Sequence, residues 1–274
     1  MASAPAQSSH SELNPPGDAW DRPFLRIGHG GASAHAPANT LRSLALALEL
    51  GVDVVEFDVR PCRDALVLLH DDALAHFGAT GLASERTLAE LRQLTTGPDR
   101  RIATLAEALD LLKGRALLNV DLKATGYEEA VVELVRARGM GGDALYSSLY
   151  PLSLRRVRQV DPQARTGLSY PEDRANASGK PYLRPVVDAA LALLRLSLPY
   201  RILRMMAGAQ ANAVMLHQRV VSRAAIRTVQ QAGGKVFVWT VDTAQRLREL
   251  REMGVNGIAS NRPELFAAPD LTGL

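Results

Sequence analysis

The stretch FLRIGHGGASAHAPANTLRSLALALELGVDVVEFDV, residues 24–59, decides the fold class. Residues 24–29 and 53–59 are short apolar and β-branched runs, typical of strands. Residues 40–51 have apolar side chains at helical spacing, with Thr40 as a candidate N-cap and Gly51 as a candidate C′ residue. The order strand, helix, strand predicts one unit of a parallel sheet with its helix outside.

The same alternation continues along the chain. Further predicted strands lie at 66–70, 116–122, 144–149, 165–170, 213–216, 236–241 and 257–260. Further predicted helices lie at 104–114, 127–139, 153–160, 222–234 and 243–254. This many βα units favour an α/β fold of the (β/α)8 TIM-like barrel type, with an open doubly wound sheet as the alternative.

Two features depart from an ideal barrel. Nine strands are predicted for eight places, so one is expected to be an additional or terminal strand. Only RPCRDA, residues 60–65, separates the second and third predicted strands, and a parallel crossover usually needs a dozen or more residues. The second helix is therefore expected to be missing and the barrel to be somewhat irregular.

A long segment, 171–211, separates the sixth and seventh predicted strands and exceeds a normal barrel connection. It predicts a helical insertion of two short helices broken near Pro199. Residues 174–206 contain six basic side chains and one acidic one, Asp188. The insertion is predicted either to cap the site, admitting an acyl chain or contacting an anionic membrane surface through 180–207, or simply to pack on the barrel.

Composition sets the outer limits on function. The 274 residues are 47% hydrophobic and 22% charged, with a net charge of +3, which fits a globular protein and gives no indication of nucleic-acid binding. Residues 1–22 are predicted to be a disordered tail, and 23–274 a single barrel domain. One cysteine, and the lack of a signal or membrane-spanning pattern, predict a cytoplasmic protein. The oligomeric state is not predicted.

Three carboxylates are expected to lie at one end of the barrel. Glu56 and Asp58 are two residues apart on a strand, so both side chains point to the same face. Asp121 occupies the corresponding end of the 116–122 strand. Carboxylates directed at one point repel each other unless a cation separates them, and such oxygen ligands suit Mg²⁺ or Ca²⁺. The alternative for such a pair is a solvated strand face.

Two histidines and a lysine accompany the carboxylates at the predicted strand ends. His29 ends the first strand, His70 ends the third, and Lys123 shares a face with Asp121. Each alone is more often structural, but together they place two proton carriers beside an oxygen-ligated divalent metal. This combination indicates phosphoryl or phosphodiester chemistry by a metal-assisted hydrolase or lyase.

The motifs His-x-Gly-Ala-Ser, AP-x-NT, EFDV, HDD, NVDLK, VWTVD and GIASNRPELF, taken in order, resemble the glycerophosphodiester phosphodiesterase family over residues 27–266. The resemblance implies an α/β barrel that uses a divalent metal. It further implies cleavage of glycerophosphodiesters to an alcohol and glycerol 3-phosphate. If the insertion accepts an acyl chain, lysophospholipids become substrates as well.

The resemblance also implies roles for individual residues. His29 and His70 resemble the general acid/base pair, and Glu56, Asp58 and Asp121 match the metal ligands, the last being more often Glu in the family. The positions expected to contact substrate are Lys123, Asn39, Trp239, His217 and Gly30. If Trp239 does not contact substrate, it is expected to be an aromatic residue of the hydrophobic core.

Two positions depart from the family pattern. Gly30 stands where the family usually has Arg, and Ala38 where it usually has Glu. We expect the two to have been lost together, because either charge alone would be poorly compensated. Backbone N–H groups around Gly30 and Gly31 are then expected to form an anion-binding nest. The alternative to an enzyme is a catalytically impaired barrel that binds phospho-ligands.

Overall fold

The computed structural model describes residues 18–95, 97–171 and 184–267. Eight parallel strands form a closed barrel, because β1 pairs with both β2 and β9. The predicted (β/α)8 barrel is therefore confirmed, and an open sheet is excluded. The strands are β1 Leu25–Gly28, β2 Val54–Pro61, β3 Leu66–Leu68, β4 Leu117–Leu122, β5 Ala144–Ser148, β6 Arg165–Tyr170, β7 Ala213–His217, β8 Lys235–Trp239 and β9 Gly257–Ser260.

Helices cover the outside of the barrel and begin at defined caps. Thr40 caps the first helix by accepting from Ser43 N, and Gly51 follows it with φ +74°, as predicted. Thr104 and Glu107 form a reciprocal capping box on the third. The helices are α1 Leu41–Glu49, α2 Leu88–Gln93, α3 Leu105–Leu112, α4 Glu128–Ala137, α5 Pro151–Val160, α6 Arg184–Ala209, α7 Arg223–Gln231 and α8 Ala244–Glu252.

Strand β3 is not a barrel strand, which resolves the count of nine. Among the named strands of the described chain it pairs only with β2, antiparallel, with Val59 opposite Leu68 and Pro61 opposite Leu66. The connection at 62–65 is too short for a parallel crossover, so the chain turns back as a hairpin. The expectation that His70 ends a parallel barrel strand is therefore wrong.

The lower end of the barrel, at the N-terminal ends of the strands, is closed by Trp20. This side chain is buried and packs edge-on against Phe237 with ring centroids 6.2 Å apart. Asp18–Asp21 form a turn of 3₁₀ helix, and Lys235 Nζ donates to the carbonyl of Trp20. Residues 18–22 therefore belong to the fold, which corrects the predicted tail of 1–22; residues 1–17 lie outside the described ranges.

The insertion contains one continuous helix in its described part, not two broken at Pro199. Helix α6 runs from 184 to 209 with Pro199 inside it. Leu198 and Ile202 are buried in the core beside Val214 of β7, which holds the helix together across the proline. The first half is mostly exposed, and Asp188 there pairs with Arg219 at 2.5 Å.

Within the described ranges, no helix is both long enough and apolar enough to cross a lipid bilayer.

Candidate functional site

The three predicted carboxylates meet inside the barrel. Glu56 and Asp58 point inward from β2, and Asp121 lies opposite Asp58 in the register of β4. All three side chains are buried, and one oxygen from each lies within 4.8 Å of the others. Burial of three acidic groups so close together is unfavourable without positive charge between them, so the cluster requires a cation.

Lys123 supplies one positive charge to this cluster. Its Nζ lies 2.9 Å from Asp58 Oδ1 and 2.5 Å from Asp121 Oδ2. Burial opposes its charge, but Asp121, Asp58 and Glu56 outweigh that effect and raise the pKa of Lys123 above its ordinary value. The lysine is thus fixed among the carboxylates and remains protonated.

Asn39 holds Asp58 through two hydrogen bonds. Its Nδ2 donates to Asp58 Oδ2 at 2.7 Å, and its Oδ1 accepts from the Asp58 backbone N–H at 2.9 Å. Asn39 has φ +63°, a left-handed conformation that asparagine tolerates better than most residues. The loop before α1 therefore brings this predicted residue to the cluster, where it orients a carboxylate.

The glycines after His29 do not form the predicted anion nest. Gly30 N–H donates to Glu56 Oε2 at 2.6 Å, and Gly31 N–H donates to the Glu56 carbonyl at 3.2 Å. Gly31 is required for packing, because a Cβ there would lie 2.5 Å from the backbone of Ser43. A Cβ on Gly30 would lie 3.0 Å from that of Ala38, so the two departures from the family pattern are neighbours.

His29 is oriented by a polar chain from β9 and the loop after β8. Its Nδ1 lies 2.8 Å from Asn261 Oδ1, while Asn261 Nδ2 donates to Asp242 Oδ2 at 2.7 Å. Because Asp242 can only accept from the amide, Asn261 presents its oxygen, and His29 carries its proton on Nδ1. Burial opposes protonation of His29, but Glu56 and Asp58 outweigh it and raise its pKa.

His70 reaches the site through the β2–β3 hairpin. The Leu69 N–H donates to the Asp58 carbonyl, so His70 follows at the level of the cluster. Its Nδ1 lies 2.8 Å from Asp71 Oδ1, and its carbonyl accepts from Arg60 Nε. The side chain is 63% exposed. His70 thus presents Nε2 from the solvent side, whereas His29 lies inside.

The carboxylates differ in acidity. Burial, together with Asp58 and Asp121, raises the pKa of Glu56 against the opposing effect of His29. Burial also works to raise the pKa of Asp58, but the charge of Lys123, then those of the histidines, outweighs it and lowers that pKa. Asp58 is therefore the more strongly ionised member of the pair on β2.

His217 and Trp239 lie on a different part of the rim. They end β7 and β8, and β7 is diametrically opposite β2 in the barrel. Their rings pack edge-on with centroids 5.3 Å apart, and Trp239 Nε1 donates to the Met215 carbonyl at 2.9 Å. Trp239 is only partly buried, so it is not a pure core aromatic.

A cavity of about 430 Å³ borders the site beside Ala38 and Asn39. Its walls mix polar and apolar side chains, with Thr40, His76 and Arg100 among the former and Leu68, Phe77 and Ile102 among the latter. It extends from the Asn39–Asp58 pair toward the β2–β3 hairpin. The site therefore has an adjoining space of a size that can accept part of a small organic molecule.

Sequence reasoning assigned no role to Asn261, Asp242 or Ser147. Ser147 Oγ donates to Asp121 Oδ1 at 2.8 Å, in the next strand of the barrel. Asn261 and Asp242 lie within the motifs GIASN and VWTVD. Their presence in these family-like motifs is the one feature of the sequence that points to a role for them. Strand-end position alone does not identify them, because their partners come from other strands.

The donor set fits a hard divalent cation. Glu56, Asp58 and Asp121 offer only oxygen ligands, which Mg²⁺ and Ca²⁺ prefer. Asn119 Oδ1 is buried without a protein hydrogen-bond partner, and Asn119 lies opposite Glu56 in the strand register. The chemistry of the site therefore combines a metal-type oxygen cluster with two histidines at different exposures.

Comparison with known proteins gives a consistent result. A sequence model described as "Glycerophosphoryl diester phosphodiesterase family" matches residues 29–265. The chain is 27% identical over 257 residues to a glycerophosphodiester phosphodiesterase of Caldanaerobacter subterraneus, a match covering 88% of this chain and 95% of the relative. It is 25% identical over 270 residues to a glycerophosphodiester phosphodiesterase of Bacillus subtilis, covering 89% and 85%.

Solved structures show the same barrel. A glycerophosphodiester phosphodiesterase from Agrobacterium tumefaciens superposes with a TM-score of 0.70 at 25% identity, covering 89% of this chain and 100% of that one. An Oleispira antarctica phosphodiesterase, in complex with the product sn-glycerol-3-phosphate, superposes with a TM-score of 0.72 at 25% identity, covering 90% and 96%.

Proposed function

Because the chain belongs to the glycerophosphoryl diester phosphodiesterase family and is an enzyme that hydrolyses glycerophosphodiesters, we propose that His29 and His70 carry its acid–base chemistry. The observation that supports this most directly is the buried cluster of Glu56, Asp58 and Asp121 beside a histidine held in one orientation. Such a site combines charge stabilisation with proton transfer at one phosphodiester.

We propose that Glu56, Asp58 and Asp121 hold Mg²⁺ or Ca²⁺. A bound divalent cation supplies Lewis acidity toward a phosphoryl oxygen and offsets negative charge in the transition state. Lys123 adds a fixed positive charge next to the same oxygens and is the side chain proposed to contact the phosphate. Asn39 keeps Asp58 in place.

The proton-carrying atoms follow from the hydrogen bonds. In both histidines Nδ1 is engaged, by Asn261 in His29 and by Asp71 in His70, so Nε2 exchanges the catalytic proton. One histidine removes the proton of the attacking hydroxyl, and the other protonates the departing alcohol as its P–O bond breaks. The nucleophile is either water, which gives both products in one step, or the glycerol hydroxyl of the substrate, which releases the alcohol and leaves a cyclic phosphate that water then opens.

Lysophospholipids are a second proposed substrate class. Helix α6, in the insertion predicted either to cap the site or to pack on the barrel, has large exposed apolar side chains, and its Asp188 pairs with Arg219, two residues beyond His217. His217 and Trp239 on this rim, and Gly30 beside the cavity at Ala38, are proposed to contact the organic parts of the substrate.

A coupled assay on the purified full chain tests these proposals. Glycerophosphocholine, glycerophosphoethanolamine and lysophosphatidylcholine are each offered with Mg²⁺, Ca²⁺ or EDTA, beside His29→Ala and His70→Ala variants. We expect turnover that requires metal and both histidines. Turnover retained by either variant contradicts the assigned role of that histidine. Binding of a glycerophosphodiester without turnover, in folded and metal-loaded protein, supports the impaired barrel instead.

A further inference from the structure

Helix α6 has apolar side chains on two opposite faces. The inner face includes Leu198, Ile202 and Met206, which are buried against β7 and α7. On the outer face, apolar residues recur at alternating spacings of three and four residues. This row of residues is here called the outer stripe. The outer stripe consists of Val186, Ala189, Leu193, Leu196, Tyr200, Leu203 and Ala207, and all seven are exposed.

The outer stripe contains most of the exposed large hydrophobic side chains among the described residues. The described residues contain eight exposed large hydrophobic side chains, and five of them lie on it. Leu196 is 71% exposed and Tyr200 is 88% exposed. At a rise of 1.5 Å per residue, the stripe is about 32 Å long. A contiguous apolar strip of this extent marks an interaction surface.

Positive charge accompanies the stripe. Arg195, Arg201 and Arg204 on the same helix are all exposed. On the helical wheel, Arg204 borders the stripe and Arg201 lies beyond it on the same side, whereas Arg195 faces the cavity that Arg219 and Arg246 also line. Asp188, the acidic residue of α6, is engaged by Arg219 at 2.5 Å. The surface around the stripe is therefore positive and suited to an anionic partner.

The N-terminal end of the stripe lies on the part of α6 that is held near the C-terminal ends of the strands. The Asp188–Arg219 pair holds the first half of α6 at the C-terminal end of β7, where His217 lies. A cavity of about 390 Å³ between α6 and the loop after β7 is lined by Arg195, Arg219 and Arg246. A partner that covers the N-terminal end of the stripe is thus placed near the end of β7, where His217 lies.

We propose that the outer stripe docks on the surface of a bilayer containing anionic phospholipids. Leu193, Leu196 and Tyr200 enter the interface, and the arginines contact lipid phosphates. A second copy of the chain is less well suited, because pairing two stripes brings arginine rows together without carboxylates to offset them. The inference rests on the proposed function, in that docking brings lysophospholipids in the bilayer to the site.

Vesicle flotation of the full chain tests the docking. The probes are vesicles of phosphatidylcholine alone and of phosphatidylcholine mixed with phosphatidylglycerol. We expect binding to the mixed vesicles only, decreasing with added salt. The double variant Leu196→Ser/Tyr200→Ser and the double variant Arg201→Glu/Arg204→Glu are each expected to lower the partition coefficient about tenfold or more. The matched controls are Leu152→Ser and Arg227→Glu, which change exposed residues of α5 and α7.

Three results overturn the docking proposal. One is no binding of the wild-type chain to mixed vesicles; another is binding that the stripe variants leave unchanged. The third is a concentration-dependent dimer in analytical ultracentrifugation that the Leu196→Ser/Tyr200→Ser variant abolishes, which assigns the stripe to a second copy. Turnover of glycerophosphocholine in solution is measured in parallel and is expected to be unchanged in every variant. Failure of the wild-type chain to bind mixed vesicles, with normal turnover, therefore refutes this inference alone, whereas absent turnover in the wild type refutes the proposed function.

Discussion

His29 depends for its orientation on a residue 232 positions away in the chain. The barrel closes with Gly28 opposite Ser260, so the residues that follow, His29 and Asn261, emerge side by side. Asp242 fixes the Asn261 amide, and the amide fixes the imidazole. Closure of the barrel thus assembles part of the catalytic machinery.

Removing this support is expected to impair catalysis without unfolding the protein. Asn261→Ala is predicted to lower kcat about 10- to 100-fold, because the His29 ring loses its acceptor. The hydrogen bond that His29 donates to Asn261 raises the pKa of His29, so its loss should lower that pKa. The limb of the kcat/KM–pH profile that reports His29 then moves to lower pH. Asn212→Ala, which removes a structural asparagine bonded to Thr166, serves as the control and should leave the profile in place.

The parts of the site that could be predicted depend on residues close together in the sequence, whereas the parts that could not depend on contacts between different strands. Glu56 and Asp58 could be placed on one face because strand alternation is a local rule, and the structure brings them to Asp121. The anion nest could not be excluded from sequence, because the Glu56 carboxylate that occupies the Gly30 N–H comes from another strand.

The contact between positions 30 and 38 makes a prediction about stability. Gly30→Ala is expected to destabilise the protein by more than the ~1–2 kcal/mol of the left-handed backbone alone, because the new Cβ lies 3.0 Å from that of Ala38. Gly78→Ala is the control, since Gly78 has a similar φ of +69° and open space around it. Ala38→Gly should recover the difference in a double-mutant cycle measured by urea unfolding. Equal losses at positions 30 and 78 would contradict the contact.

Hairpin β2–β3 shows where pattern recognition fails at the level of secondary structure. Residues 66–70 have the composition of a barrel strand, but the preceding connection permits only an antiparallel return. The sequence therefore identified a strand without its direction. The prediction for helix α6 was wrong for a related reason. Burial of Leu198 and Ile202 keeps the helix continuous where a break was expected at Pro199.

Pro199 is expected to weaken the first half of α6. Proline has no N–H to donate to the Arg195 carbonyl, so one backbone hydrogen bond of the helix is missing. This gap lies between the exposed first half of α6 and its packed second half. Pro199→Ala should stabilise the helix by about 1–3 kcal/mol, since proline disfavours a helix interior by about 3 kcal/mol and part of that is offset in the unfolded chain. The measurement is slower amide hydrogen exchange over 185–197. Pro151→Ala, at the first turn of α5 where proline is tolerated, should give no gain; unchanged exchange in Pro199→Ala would refute the weakening.

The barrel architecture was the most predictable feature, because repeated βα units allow few closed arrangements. The boundary of the N-terminal tail was less predictable. Trp20 belongs to the barrel because its side chain fills the lower end of the interior, and the local composition does not indicate that the barrel needs a residue there. The cytoplasmic location remains a prediction, supported by the single cysteine.

Closure at the base of the barrel links stability to pH through Asp53. Its carboxylate accepts from Arg26 Nε at 2.8 Å, from the Arg26 backbone N–H at 2.9 Å and from Arg22 Nη1 at 2.8 Å. Burial works to raise the pKa of Asp53, but the hydrogen bonds from Arg26, and then the arginine charges, outweigh it and lower that pKa. The ionised form therefore stabilises the folded state above the ordinary carboxyl pKa of about 4. This contribution decreases as the pH falls toward the lowered value.

Asp53→Asn is accordingly expected to cost roughly 1–3 kcal/mol of unfolding free energy at neutral pH, and progressively less below about pH 4. Urea unfolding of both proteins across the acid range measures the difference. Asp143→Asn provides a control of opposite sign, because burial raises the pKa of Asp143 and its ionised form is disfavoured in the folded state. That variant should be neutral or slightly stabilised at neutral pH. A loss in Asp53→Asn that stays constant down to pH values near 2 would show that the Asp53 charge plays no part, and that only its hydrogen-bond geometry joins β1 to β2.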